Sequence, residues 1–414
     1  MSQAREQVVV IGGGVVGLSS AWWLLEAGFG VTVVERAAQV ASGASYGNGG
    51  QLSYRYVSPL ADAGVPLKAV AWLFGSMARC ASGPNSTCAS GPGWHASSAS
   101  ARPRPTAAPR PSCWNWENCR APACSSWDRS FPQATLPGAT PASWWCTARP
   151  RCSTRRPVKP MAAPSGARPN APNANRPGRG APPARGGIHN AGEAVADCHA
   201  FCTALAARIG AHPRFRGFIQ AEVVNIAATG GRVVGLDTTA GAIGGDAFVL
   251  AAGIESRHLA AHLGVKLPLY PLKGYSLTAP IRTTDTAPQI SVTDFERKVL
   301  YARIGDKLRV AAMVDMVGED LRLNPKRIGS LTRQVQETMP HAADYSQVSA
   351  WAGLRPATPN SAPIIGASPL SNLWLNVGHG PLGFTFAAGS ARILTDLMLG
   401  KAPPFALDML ALQR

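Results

Sequence analysis

Three groups of residues in this chain could do chemistry. The first is Gly12-x-Gly14-x-x-Gly17 followed by Glu35. Glycines at this spacing let a strand turn tightly into a helix and let backbone N–H groups approach a pyrophosphate, where the helix dipole favours an anion. An acid about twenty residues further on can accept hydrogen bonds from ribose hydroxyls. Glu35 by itself fits NAD or FAD. The second group is Gly378-His379-Gly380-Pro381-Leu382-Gly383, another glycine-rich turn. The third is Arg355, whose backbone is stiffened by Pro356. A guanidinium offers a planar, bidentate grip on a carboxylate. A surface ion pair would use the same group.

Each group needs elements to position it. Val8–Ile11 reads as a buried strand entering Gly12, a helical pattern follows, and a second apolar run, Val31–Val34, ends at Glu35. That is a βαβ unit with its parts in order. The first apolar run starts too late, and is broken too soon by glycine, to read as a signal peptide. No apolar run is long enough to predict a membrane span. Ser42–Pro59 is Gly/Ser-rich loop, and Leu67–Phe74 reads as a short helix.

Further on, Ala194–Ile209 has helical spacing. Cys198, His199 and Cys202 within it could suggest a metal, but a packed helix face explains them more simply, and no metal is expected. Phe218–Asn225, Val233–Thr238 and Ala247–Ala251 read as strands, with Gly230-Gly231 turning the first into the second. The third stops in the small residues Ala251, Ala252 and Gly253, which lets a ligand lie across its end. Leu269–Ala279, Gln289–Val292, Lys298–Tyr301 and Leu308–Val314 suggest a further sheet. Asn324–Thr338 is a polar helix, and Trp351–Gly366 is a Pro-rich run. Leu373–Val377 is a strand opening into the second glycine turn, and the helix Thr385–Leu399 stops at Gly400, as a C-cap would. Glycine-rich strand-to-helix turns near both ends imply an α/β chain, α+β overall. A Rossmann-like nucleotide domain is built from both ends, with a mixed-sheet domain inserted. The expected divisions are 1–78, 187–260 and 348–414 for the nucleotide domain and 261–347 for the inserted sheet.

Residues 79–186 stand apart. They carry fourteen Arg and one Lys against two acids, which is +13 of the chain's formal +17. With +4 left for the rest, net charge gives no reason to expect a nucleic-acid partner. The 108 residues hold 19 Pro, 7 of the 9 Cys and 6 Trp, but no Ile, one Leu (Leu136) and one Val (Val158). No core can be built from that composition, so the segment reads as disordered or irregular. Linkers seldom combine Cys with Trp, whereas GC-rich DNA read out of frame gives this mixture. Two compensating frameshifts, near Arg79 and near Arg185 or Gly186, account for it. A genuine basic insertion able to hold nucleic acid is the alternative. Outside the segment only Cys198 and Cys202 remain, which suits a reducing compartment.

VVVIGGGVVGLSSAWWL (8–24), YGNGGQLS (46–53), VSPLADAGVPLKAVAWLF (57–74), GGIHNAGEAVADCHAFC (186–202), YPLKGYSLT (270–278), WAGLRPATPNSAPIIG (351–366) and LNVGHGPLGFT (375–385) together carry a resemblance. The chain resembles the glycine oxidase and D-amino-acid oxidase group of FAD-dependent oxidoreductases, and within it the bacterial D-amino acid dehydrogenases. The resemblance covers about 7–78 and 186–405, and the gap has about the length the family has there. It implies a Rossmann-like FAD-binding domain. Val10, Ile11, Gly12, Gly13, Gly14, Val15, Val16, Gly17, Glu35 and Arg36 would hold the ADP half of FAD. Asn48, Gly49, Gly50 and Gln51 would lie on the flavin side. Val224 would meet adenine through its backbone, and Ala252 and Gly253 would lie beside the cofactor. Gly378, Gly380, Leu382, Gly383 and Thr385 would close over the flavin ring.

The same resemblance gives Arg355 the substrate carboxylate. Tyr275 and Tyr301 could each offer a hydroxyl near the substrate or simply pack, and Lys273 could touch the flavin or be exposed. His379 could act as a base or hold position beside the ring. The implied reaction is oxidative deamination of a D-amino acid by hydride transfer to flavin N5. Electrons would then pass to a quinone-linked acceptor, or to oxygen in a glycine or sarcosine-type oxidase. A cytoplasmic site is implied, with a peripheral position on the inner membrane compatible and the oligomeric state open. Family members use the stretch at 79–186 to cover the substrate domain. A scrambled stretch implies poor solubility, a leaky pocket, and in the extreme an inactive product.

Overall fold

The structure is a computed structural model that describes residues 6–54, 80–82, 190, 192–294, 297–403 and 405–412. The helix expected at Leu67–Phe74, and segment 79–186 apart from 80–82, lie outside those residues.

A buried parallel strand must be apolar on both faces. β1 (Gln7–Ile11) satisfies this and leads through Gly12–Gly14 into α1 (Val15–Glu26), and β2 (Gly30–Glu35) returns parallel beside it. α1 is apolar on nearly every side, Trp22 and Trp23 included, and it is buried to match. β3 (Gln51–Leu52), β4 (Cys80–Ser82) and β5 (Ala194–Val195) are short, and β3 pairs antiparallel with β5. α2 (Cys198–Gly210) is capped by Asp197, whose side chain accepts from the Ala200 N–H. Cys198 and Cys202 face the core with Phe201 and Leu205.

The single strand expected over Phe218–Asn225 is in fact two. β6 (Phe215–Gln220) joins β2 in parallel, then the chain breaks at Ala221–Glu222. β7 (Val223–Thr229), β8 (Arg232–Thr238) and β9 (Gly241–Ile243) form a separate antiparallel sheet. Gly230 and Gly231 both take positive φ, 56° and 74°, as the tight turn from β7 to β8 requires. β10 (Ala247–Leu250) pairs with β1 on the side away from β2, and α3 (Ser256–His262) follows.

The second large sheet uses β11 (Tyr270–Pro280), β12 (Val292–Asp294), β13 (Val299–Ile304) and β14 (Lys307–Met316). Asn324 caps α4 (Pro325–Thr338) by accepting from the Lys326 and Arg327 N–H groups, and Pro325 opens the first turn. β15 (Ser349–Ala357) then pairs with β11, giving the antiparallel order β12–β13–β14–β11–β15, with β4 parallel to β14. The strand carrying Arg355 thus belongs to this sheet, ten residues beyond the division expected at 347. β16 (Ile364–Ala367), β17 (Leu373–Val377) and α5 (Gly383–Met398) complete the first sheet in the order β16–β17–β10–β1–β2–β6.

Alternation along the first sheet builds two cores. Val8, Val10, Val31, Val33 and Val249 face α1, α2 and α5, while Val9, Ile11, Val34, Phe248 and Leu250 face the β7–β9 layer. A third core, with Leu277, Val310, Leu331 and Val335, lies between the second sheet and α4. No described helix is long and apolar enough to cross a membrane.

Candidate active site

Strand order in the first sheet reverses at β1, with β2 and β6 on one side and β10 and β17 on the other. Such a switch point leaves a crevice at the carboxyl ends of the strands. Gly12 lies there at φ 111°, and a Cβ on it would stand 2.7 Å from the Ala251 carbonyl oxygen. A Cβ on Gly17 would stand 1.9 Å from the Gly12 carbonyl oxygen. Gly14 is the N-cap of α1 and offers no side chain, and the first turn carries no acid. The Val15 N–H donates to the Ser45 hydroxyl at 3.0 Å. Apart from that bond, the positive end of the helix dipole carries no charged partner and can receive an anion. The Glu35 carboxylate accepts from the Gly13 N–H at 2.6 Å and the Ala37 N–H at 3.0 Å, which fixes it at the rim with lone pairs to spare. Arg36 points outward to Glu255 at 3.3 Å. Val224 is an extra residue, because the β7–β8 register steps from Val223↔Thr238 to Asn225↔Asp237. Its backbone is left out of the ladder.

Residues 47–51 lie on one face of the second sheet. Ser276 donates to the Gly47 carbonyl at 2.6 Å and Arg309 to the Asn48 carbonyl at 2.9 Å. The Asn48 side chain accepts from the Gly50 N–H at 3.0 Å, and Gln51 reaches Glu193 at 3.2 Å. A Cβ on Gly49 would meet the Leu300 side chain at 2.7 Å, and one on Gly47 the Trp351 indole at 2.5 Å. Sequence reasoning missed Gly47, Ser276, Arg309 and Trp351, whose contacts span more than two hundred residues.

The second glycine turn reaches the same place. Gly378 takes φ 80°, and His379 forms a backbone bridge with Ala357, two residues past Arg355. The Thr385 hydroxyl accepts from the Ser53 N–H at 3.1 Å, and α5 starts at Gly383 without a side-chain cap. The His379 Nε2 is 3.0 Å from the Ser390 hydroxyl. Ser390 has one hydrogen, directed to the Phe386 carbonyl at 3.0 Å, so its oxygen accepts from Nε2–H. Burial pushes the His379 pKa down to about 3, so the ring is neutral and too weak a base for proton transfer near neutrality. Unfolding frees it to protonate below pH 6.5. The unfolded state then binds more protons, and stability falls as pH drops. Between pH 6.5 and 5 the wild type should lose about 1.6 kcal/mol more than His379→Gln, read by denaturant unfolding at both pH values.

Arg355 sits on β15 opposite Leu272, with its guanidinium laid over Gly274. A Cβ on Gly274 would clash with the guanidinium nitrogens, so this strand glycine makes the floor on which Arg355 rests. The Arg355 Nη1 donates to the Met313 carbonyl at 3.2 Å. No carboxylate among the described residues pairs with it, and burial alone lowers its pKa. Alternation puts Arg355, Gly274, Ser276 and Trp351 on the face that carries residues 47–51. Tyr275, Tyr301 and Lys273 lie on the opposite face, so the structure does not bring them to Arg355. Tyr275 donates to Asp315 at 2.8 Å, and Tyr301 is buried in the core under α4. Lys273 is neither exposed nor on that face. It is 2% exposed and bound to the Arg322 carbonyl.

The family described as FAD dependent oxidoreductase (DAO) matches residues 7–84 and 153–397. The chain belongs to this family. Its cofactor is FAD, and it is an oxidoreductase. "D-amino acid dehydrogenase 2" of Pseudomonas aeruginosa is 40% identical over 421 residues, covering 96% of each chain. "D-amino acid dehydrogenase 2" of Ralstonia nicotianae is 38% identical over 99% of this chain and all of the relative. Glycine oxidase from Geobacillus kaustophilus shares the fold with a TM-score of 0.62 at 19% identity, covering 100% of this chain and 99% of that one. The family match leaves 85–152 uncovered, an interval inside the compositional anomaly at 79–186.

The crevice fits the family's cofactor. Two glycine seats admit no Cβ, a helix N-terminus stands open, and Glu35 and the Val224 backbone offer hydrogen-bonding groups. Those are the groups a pyrophosphate, a ribose and an adenine require. A cluster the sequence did not flag, Glu255, His258 and Glu319, also gathers within 4.8 Å. Arg36 and Arg257 already pair both of its carboxylates, which makes it an ion-pair network.

Proposed function

We propose that this enzyme oxidises D-amino acids to 2-oxo acids and ammonia, and that Arg355 holds the substrate carboxylate. The observation that carries the reading is a partly buried guanidinium, floored by Gly274 and anchored on the Met313 carbonyl, that meets no carboxylate among the described residues. Relatives named D-amino acid dehydrogenase, 36–40% identical over nearly the whole chain, support the D-configuration.

Gly12–Gly17, Glu35 and the Val224 backbone would hold the ADP half of FAD. Asn48–Gln51 and the turn Gly378–Thr385 would flank its ring. When bound, FAD accepts the hydride from the substrate α-carbon. The rest is positioning. Arg355 fixes one end of the amino acid, so the α C–H has one direction of approach. Ser276, Arg309 and Trp351 hold residues 47–51 against the sheet, and His379, neutral on Ser390, ties its turn to α5. No acid–base residue is needed if the amine enters unprotonated. Water then hydrolyses the released imino acid to 2-oxo acid and ammonia. The two sheets divide the labour: the sheet built on β1 carries the nucleotide and the sheet from β11 to β15 carries the substrate.

In this reading electrons leave to a quinone-linked acceptor, with the enzyme lying peripherally on the membrane. Anaerobic D-alanine should bleach the flavin's visible absorbance, L-alanine should not, and a soluble quinone should restore it. Peroxide release on glycine or sarcosine under air would point instead to an oxidase, in line with the glycine oxidase fold neighbours. We also infer that segment 79–186 is read out of frame and lowers the yield of active enzyme. A Leu-rich, helix-patterned stretch in another reading frame of the coding DNA supports that inference, and its absence in both frames ends it.

A further inference from the structure

The carbonyl that receives Arg355 belongs to Met313, which sits at φ 66°, a conformation few residues other than glycine adopt. It is there because β14 carries one residue too many. The β11–β14 register runs Lys273↔Asp315 and then Tyr275↔Ala312, so Met313 and Val314 together oppose Gly274 alone. A bulge of this kind bends the strand and re-aims its groups. Gly274, the residue facing the bulge, is also the floor under Arg355.

On the other face of the sheet, one hydrogen bond crosses the bulge. Tyr275 donates to the Asp315 Oδ2 at 2.8 Å, joining the two register pairs that flank it. The Asp315 Oδ1 is held by Arg327 from α4, and the Lys273 Nζ lies 5.2 Å from the centre of the Tyr275 ring. Tyr275 and Asp315 are each 2% exposed. A buried, charge-assisted tie of this kind leaves the bulge little freedom to slide.

We propose that the Tyr275–Asp315–Arg327 staple is a positioning device for Arg355. It holds the bulge in the register that aims the Met313 carbonyl at the guanidinium, and so sets the carboxylate selectivity of the site. The inference rests on the reading of Arg355 as the carboxylate-binding group.

The test is equilibrium titration of the FAD-loaded protein with benzoate and with benzamide, followed by flavin absorbance, which needs no turnover. Arg355→Ala should abolish the preference for the acid over the amide. Tyr275→Phe should shrink it by about tenfold at unchanged FAD content, the loss of one hydrogen bond to a charged group, and Asp315→Ala, which removes the Arg327 pair as well, by at least as much. A full preference in Tyr275→Phe and Asp315→Ala would overturn the proposal and leave the staple a stability feature. A full preference in Arg355→Ala would instead overturn the carboxylate reading of Arg355. Should Asp315→Ala not fold, Tyr275→Phe, which removes a single oxygen, decides.

Discussion

Arg355→Ala should lower kcat/KM for a D-amino acid by about 10²–10³-fold, because truncating one partner of a buried charge pair costs about 2–5 kcal/mol. The loss should come without a fall in Tm. An arginine that served the fold through an ion pair would destabilise the protein when removed. Arg355 has only the Met313 carbonyl among the described residues, and burial already disfavours its charge. Removing it therefore relieves a desolvation cost while the substrate loses its partner. Arg355→Lys should recover little, since an ammonium keeps the charge but not the planar fork. Gly274→Ala supplies an independent version of the same experiment. Its Cβ would clash with the guanidinium and displace it, so this change, which removes no polar group, should approach the loss seen in Arg355→Ala. Steady-state kinetics and thermal melts on the three variants check the argument. Equal falls in kcat/KM and Tm would mean that Arg355 is structural.

What could be read in the sequence was what local pattern determines. The βαβ unit declares itself because β1 and β2 are apolar on both faces and the glycines fall between strand and helix. Leu373–Val377 and the stop at Gly400 were legible for the same reason. The second sheet was legible as strands but not as faces. Which side Tyr275 or Lys273 presents depends on register, and register depends on pairing with β14 and β15. Tyr275, Tyr301 and Lys273 drew notice through residue type, and alternation turns all three away from Arg355. Pro356 made β15 look like irregular chain, yet β15 is an edge strand, where proline is tolerated. Gly274 did carry a signal, since a glycine inside a strand marks a close approach. The bulge at Met313 carried none, because the residue held at positive φ is a methionine. Contacts such as Arg309 to Asn48 and Ser53 to Thr385 join residues 261 and 332 positions apart, beyond the reach of any local pattern.

The two remaining glycines of the fingerprint should separate fold from ligand. A Cβ on Gly17 would stand 1.9 Å from the Gly12 carbonyl oxygen, and Gly12 cannot yield. Its N–H is bonded to the Val34 carbonyl at 2.8 Å, and its own α-carbon faces the Ala251 backbone. The helix must move instead, although α1 is packed against α5 and α2. Overpacking of this kind costs about 1–3 kcal/mol or more, and the shift carries the N-terminal amides away from the pyrophosphate. Gly17→Ala should therefore lower both Tm and FAD affinity, the latter by about 100-fold or more. Gly14 is different. A Cβ there would meet only the Ser45 hydroxyl, at an ordinary 3.5 Å, so the protein itself has room for alanine. Gly14→Ala should leave Tm of the apoprotein unchanged and still weaken FAD, because the added methyl stands where the ligand must come close. Flavin content after gel filtration and apoprotein melts would distinguish the two. If Gly14→Ala bound FAD normally, the anion at the start of α1 would lie further from the backbone than the fingerprint implies.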